Sequence, residues 1–525
     1  MTRQVLTVLA TSVSLALTAP ATAQTDTPRH GGTLRFVMKY EPPTLSSINN
    51  SATPLTSGKI FDGLVTYDFD LNPKPQLATS WTVSPDGLKY VFKLREGVTW
   101  HDGKPFTSAD AAFSILRLKQ GHPRGRGTFA NVAEANTPDA STLELVLSKP
   151  APYLMTALGP SESPIVPKHL YEGVDVATPP GPPLLIGTGP FVLKEWTRGS
   201  HAVLERNASY WDKPKPWLDR VVIRFMTDAA ARAAAFEAGD LDLGSSAPVP
   251  LADMPRFERD PRFVVARQDF AYSGAQHQIF FNLETDVLKD KRVREAVAHA
   301  LDLDRMVETV FYGAAKVSPS PVSVALGPFH DSSIKPRKFD VARSEKLLDE
   351  AGLAKKPDGM RVQLRLLINP FIDARLADFV RQSLRRVGID AVIQPREFAA
   401  YVKQVYGDRQ FDMIIESLAN VFDPTVGVQR GYWSKNFKPG LPFSNSARYE
   451  SPEADRLLEA AAIENDPDKR KALFREFQQL VHRDIPSVDL ISPLEVVIAS
   501  RRLRNYAVGA EGVGSNWADA YFVAN

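Results

Sequence analysis

Apolar and polar residues alternate in short runs through the first half of the chain. In "GTLRFVMKY" (32–40), Leu34, Phe36 and Met38 share one face, as a half-buried strand requires. The same period-two pattern recurs at 88–94, 141–148, 189–196, 201–207 and 219–226. "TRGS" between 196 and 201 predicts a hairpin turn. The period lengthens in "TSADAAFSILRLK", where Thr107 as N-cap and Asp110 three residues on form a capping box that opens a helix. An alanine-rich helix is expected at 228–239, closed by Gly239.

Beyond residue 284 strands and helices alternate. Helices are predicted over 289–313, 340–352, 373–387, 398–406, 452–463 and 468–483, and strands over 361–368, 389–394 and 411–417. This alternation predicts an α/β fold with a parallel sheet and right-handed crossovers. Ligands of open α/β sheets sit beyond the carboxyl ends of strands. The loops "NPFIDAR" (369–375) and "ESLANVFDP" (416–424) are therefore the first candidates for a binding site.

The amino terminus changes the picture from fold to destination. Arg3, an apolar run at 5–19 and the small residues Ala21 and Ala23 have the layout of a cleavable secretory leader over 1–23. The run is too short for a spanning helix, which needs about 20 apolar residues. With no cysteine there is no acceptor for a lipid anchor, so a free periplasmic protein is expected. Without the leader, 62 Lys and Arg stand against 61 Asp and Glu, a balance that argues against nucleic acid as a partner. The 41 prolines, well above the usual ~5%, gather in loops such as 178–183 and 213–217. Nine scattered histidines and no cysteine supply no metal cluster, and no catalytic residue or cofactor is assigned. No hydrolase signature or phosphate loop stands in a suitable context, which leaves an exported hydrolase as the contrasting class.

Four stretches carry a resemblance. They are 60–114, with "WTVSPDGLKYVFKLREGVTWHDGKP" inside it, 187–225, 281–306 and 451–486. In order and content they resemble extracellular solute-binding protein family 5, the peptide/nickel type that serves ABC importers. The resemblance implies a two-lobed, type II-like periplasmic binding protein with an extra small α+β domain. Lobe one would comprise 24–60, 187–283 and 492–525, the small domain 61–186, and lobe two 284–491. It also implies a monomer that captures a peptide or peptide-like solute by closure and docks on an inner-membrane permease. The alternative is a dedicated binder of a non-peptide solute, such as an opine-like conjugate, an oligosaccharide or a chelated metal.

In peptide-binding members an aspartate anchors the ligand's ammonium in a motif that matches Ala419 to Pro424 here. The anchor position holds Asn420, which offers a donor and an acceptor but no charge. Asp423 and Glu416 are the acids that could supply the charge from another direction. Phe398, where the family often has tryptophan, is expected to wall the cleft, with Tyr401 beside it. Tyr272 lies in the segment that crosses between lobes, and Asn49 and Asn50 in an early loop that often lines the pocket. Tyr210, Trp211 and Trp217 are read as packing, His101-Asp102 as a structural turn, and "HPRGRG" (122–127) as a solvated loop of the small domain, with an anion site that reaches the cleft as its alternative. On this reading an Asn420→Asp exchange strengthens binding of amine-bearing solutes.

Overall fold

The computed structural model describes residues 27–51, 54–272 and 274–523; the leader and its cleavage site lie outside them. Three sheets organise the chain. The first has seven strands in the order Phe263–Gln268, Glu495–Ser500, Leu243–Gly244, Thr33–Met38, Arg220–Phe225, His201–Arg206 and Phe191–Thr197. The second has six, in the order Ala315–Val317, Ser487–Pro493, Ala275–Phe281, Met413–Ala419, Val362–Ile368 and Ile389–Ile393. A four-stranded antiparallel sheet, Ala78–Val83, Lys89–Leu94, Thr142–Leu147 and Val132–Asp139, forms the small domain. Helix Ser108–Gly121 packs on it, with the Thr107 backbone N–H donating to Asp110 at 2.9 Å in the expected capping box.

The two large sheets share a device at their parallel junctions. Thr33–Met38 runs parallel to Leu243–Gly244, and Val362–Ile368 parallel to Met413–Ala419. In each case an arginine on the first strand clamps the aspartate that precedes the second. Arg35 reaches Asp242 through its backbone N, Nε and Nη2 at 2.8–2.9 Å, and Arg365 reaches Asp412 through the same three atoms at 2.7–3.0 Å. The sequence reading found no internal repeat; the clamp is a likeness that only the paired strands bring out.

Three expectations change. The second sheet is mixed rather than parallel, because Ala275–Phe281 pairs antiparallel with both Met413–Ala419 and Ser487–Pro493. That strand was expected in lobe one, yet its apolar face packs with lobe-two residues such as Leu366 and Ile415, so the chain crosses between the sheets at 269–274 and again at Leu494. The single helix expected over 289–313 is three: Asp286–Lys289, Lys291–His299 and Leu303–Thr309. Asp290 and Asp302 accept from the backbone N–H of Arg292 and Arg305, so each starts a new helix where continuous periodicity suggested none.

Several family-defining segments do pack. Tyr210 is buried, and Trp211 donates to the buried Asp62 at 2.9 Å. His101 is held between the Gly187 N–H (3.2 Å) and the Gly189 carbonyl (3.0 Å), while Asp102 pairs with His169 instead, so the two neighbours form no dyad. Among the described residues no helix is long and apolar enough to cross a membrane, and no group of three or more His, Cys, Asp or Glu could hold a metal ion.

The joint between small domain and first sheet depends on bare backbone. A Cβ on Gly187 would lie 1.9 Å from the Ile60 carbonyl oxygen. Gly187→Ala is expected to destabilise the protein by about 1–3 kcal/mol, lowering the denaturation midpoint in urea.

Candidate functional site

Strand Met413–Ala419 runs two residues further than its apolar pattern suggested, so the candidate loop begins at Asn420. Asn420 is fully buried. Its Oδ1 accepts from the Ser323 N–H at 2.5 Å, its Nδ2 donates to the Leu418 carbonyl at 3.1 Å, and its backbone N–H donates to Gly274 at 2.8 Å. The side chain expected to greet a ligand is thus a tie between three segments of its own chain. Val421 follows at φ 44°, a left-handed conformation that β-branched residues rarely adopt.

Asp423 is also engaged. Both its oxygens pair with Arg470 at 2.7 Å, and Oδ1 caps the Thr425 N–H at 2.8 Å. Arg470 further donates to Thr425 Oγ1 (2.6 Å) and the Ala461 carbonyl (2.8 Å). With its charge matched and both side chains almost wholly buried, Asp423 cannot serve as a replacement anchor for an ammonium.

Glu416 lies within the strand, not at a solvated end. It accepts from Tyr401 Oη at 2.9 Å, Tyr406 Oη at 3.0 Å, the Ser417 N–H at 2.8 Å, and Asn369 Nδ2. Burial raises its pKa, against the pull of those four donors. The two predicted loops therefore meet: Asn369 begins the 369–375 loop and reaches Glu416. Around this network Phe398 lies 5.0 Å from Phe371 and 6.3 Å from Phe443, ring centre to ring centre. Phe371 is 62% exposed, so these rings make an apolar face with one end open.

Arg430 borders this face, and Arg124 lies within electrostatic reach of it; neither was among the expected site residues. Arg430, half-buried on helix Gln429–Tyr432, has its guanidinium 5.4 Å from the Phe443 ring. Arg124 belongs to the 122–127 segment expected to be a solvated loop. The segment instead enters a helical turn, Gly125–Thr128, and Arg124 is drawn inward by Glu162, bonding Oε1 from Nε at 2.8 Å and Oε2 from Nη2. Its signal in the sequence was the basic, glycine-rich stretch itself; the partner acid 38 positions away had none.

The remaining candidates are held by contacts of their own. Tyr272 is sandwiched between Tyr67 of the small domain (5.3 Å) and Phe422 of the 420–424 loop (4.9 Å), so both ring faces are covered. Asn49 donates to the carbonyls of Thr178 (2.7 Å) and Val176 (3.3 Å), tying its loop to the small domain, and Asn50 is half-buried next to it.

At the two crossings a cavity of about 290 Å³ opens between the sheets. Ser246, Gln268 and Phe270 line it from one side, His277, Phe311 and Ala325 from the other, and Glu495 from the second crossing. Among the described residues, the buried His277 Nδ1 has no hydrogen-bond partner there. Elsewhere the second lobe touches the small domain: Asn465 donates to the Asp86 carbonyl at 3.2 Å. Burial raises the Asp373 pKa, but Arg375 and, from the opposite lobe, Lys39 bring it below the usual range.

A pair of α/β lobes, two crossings and a small domain folded onto the first lobe define a binding cleft. The profile of bacterial extracellular solute-binding proteins, family 5 (middle), matches residues 72–440. The chain belongs to this family. A Brucella ovis protein named for ABC-transporter peptide binding is 28% identical over 463 residues, covering 85% of this chain and 84% of that one. The glutathione-binding protein GsiB of Salmonella typhi is 26% identical, over 87% and 88% of the two chains. The oligopeptide-binding protein AppA of Bacillus subtilis, solved with a nonapeptide, superposes with a TM-score of 0.79 at 25% identity, over 95% and 100%. The family is one of solute binders, and the two-lobed fold is shared with those solved structures.

Two predictions follow from this family member's own cleft. Asn420→Asp would set a carboxylate against the Leu418 carbonyl. It is expected to cost about 1–3 kcal/mol in urea unfolding and to give no calorimetric gain for amine-bearing solutes, reversing the expectation from sequence. For His277, burial pushes the pKa down to about 4. The unfolded ring takes up its proton near 6.5 and the folded one does not, so stability falls as pH drops from about 6.5 towards 4. His277→Gln should flatten that part of the stability–pH curve.

Proposed function

We propose that this chain is the solute-capturing component of an ABC importer, and that it closes around a peptide or peptide-like solute. The observation that carries the reading is the cleft itself. Among the described residues two segments pass between the two large sheets, and the cavity at these crossings is lined from both, so a ligand that touches both sides favours the closed arrangement over the open one. The relatives named for peptide and glutathione binding support a peptide-like solute over the non-peptide alternative. In this reading Phe398, Phe371 and Phe443 pack against the solute's apolar parts. Glu416 with Tyr401 and Tyr406 sets the floor beneath them, and Asn420 and Asp423 shape the strand end without touching the solute. The mature protein works as a monomer, free in the periplasm after loss of the 1–23 leader, and hands its solute to a permease in the inner membrane.

Native mass spectrometry of the protein purified from its periplasm without refolding tests this. The expected result is a set of adducts that release and sequence as short peptides or peptide derivatives. A single discrete adduct with no amide backbone would overturn the peptide assignment, and conversion of added peptide to products would overturn the binding role.

A further inference from the structure

The cavity at the two crossings holds an acid that no cation of the protein answers. Glu495, the first residue past the second crossing, is half-buried in its wall. It accepts from the Ser246 N–H at 3.0 Å and from Ser246 Oγ at 2.9 Å. Both bonds fall on Oε1, and neither donor is charged. Among the described residues no Lys, Arg or His forms an ion pair with Glu495; burial raises its pKa, and only the Ser246 and Ser245 groups pull against that. The other acid in the wall is Asp269, and Lys316 already pairs with it.

A structural task explains part of Glu495. Ser246 and Ala247 stand at φ 53° and 65°, in left-handed backbone, and the bonds to Oε1 steady that turn. That task needs an acceptor and not a charge, and a charge drawn from water without a partner costs free energy. His277 reaches the same cavity from the second sheet. It is 9% exposed, and its Nδ1 has no hydrogen-bond partner among the described residues. Burial lowers its pKa to about 4, so the ring stays neutral at ordinary pH. A neutral imidazole offers a lone pair and does not repel a cation.

The rest of the wall is mostly apolar, with Phe270 on one side and Phe311, 6.0 Å from the His277 ring, on the other. At about 290 Å³ the cavity has roughly twice the ~150 Å³ that takes benzene. That is room for an aromatic or branched body rather than a bare ion. Asn420, Asp423 and Glu416, the polar groups expected to meet an ammonium, are all engaged by the protein itself.

Taking the chain to be a binder that closes, as proposed above, and whether or not its solute is a peptide, we infer that the cavity at the crossings binds a primary ammonium, with the cation on Glu495 and an apolar body against Phe270 and Phe311. His277 accepts a second hydrogen bond from the same cation. Glu495 and Ser246 belong to the first sheet and His277 to the second, so the bound cation spans the hinge. The chemistry fits both the amino end of a captured solute and a free amine.

Calorimetry on the mature protein with phenethylamine against 2-phenylethanol tests it. The amine should bind, and the alcohol at least about tenfold more weakly, as loss of a charge-assisted bond implies. Glu495→Gln should abolish that difference. Should this variant fold poorly, Ala325→Leu, which fills the cavity, should remove amine binding. Trialanine and its N-acetyl form separate the two sources. If phenethylamine competes with trialanine and acetylation weakens the peptide at least about tenfold, the cavity takes the solute's amino end. If peptide and amine bind together, it takes a free amine, and the inference holds in both cases. Amine binding without any peptide binding keeps the inference and overturns the peptide reading. Peptides that bind while phenethylamine fails at millimolar concentration would overturn the inference and leave the peptide reading in place. A Glu495→Gln protein that still prefers amine to alcohol would overturn the inference too, as would an Ala325→Leu protein that binds the amine unchanged.

Discussion

Arg470, buried against Asp423, holds the end of strand Met413–Ala419 in place, and the rest of the cleft is positioned from there. The pair satisfies both carboxylate oxygens, and the guanidinium also reaches Thr425 and the Ala461 carbonyl. Removing one partner of such a buried pair typically costs about 3–5 kcal/mol, because the other is left charged and unpaired. That is enough to hold the left-handed Val421, whose strain is of the order of 1–3 kcal/mol. The turn it enforces brings Gly427 against the Asn420 backbone, where a Cβ would meet the carbonyl oxygen at 2.0 Å. Arg430 is carried on the same turn, through its bond to the Gly427 carbonyl.

Closure is assembled from weak contacts around this rigid point. Tyr272 bridges Tyr67 and Phe422, linking small domain, crossing and second lobe by ring contacts worth about 1 kcal/mol each. Lys39 and Asp373 add a long-range attraction between lobes, and Asn465 one hydrogen bond from the second lobe to the small domain. None of these alone commits the protein to the closed form. A balance of this kind suits a protein whose open–closed equilibrium a ligand must be able to shift, since a ligand moves that equilibrium only by what it gains in one state over the other.

Strand and helix positions were largely legible along the chain, because each needs only local information. Alternation at 33–38, 89–94 and 362–368 and the capping box at Thr107 report directly on which face is buried and where a turn begins. The strand-end loops at 369–375 and 416–424 were expected by the same logic, whereas Glu416, Phe398 and Tyr401 entered through the family resemblance. The resemblance in 60–114 and the other three stretches placed the chain in its family before any coordinate was considered.

What the tertiary structure decided was which polar groups remain available. A sequence names the residues at a strand end but not their partners, and the partners lie far away: Arg470 is 47 positions from Asp423, Ser323 is 97 from Asn420, and Glu162 is 38 from Arg124. Those long-range bonds turned Asn420 and Asp423 from ligand candidates into structural ties. They also drew a basic loop inward, with Arg124 held on Glu162. The sequence determined the lobes, the family and the strand ends, because burial periodicity is local. The charge left over for a ligand depends on every pairing across the fold, and only the folded chain settles that account.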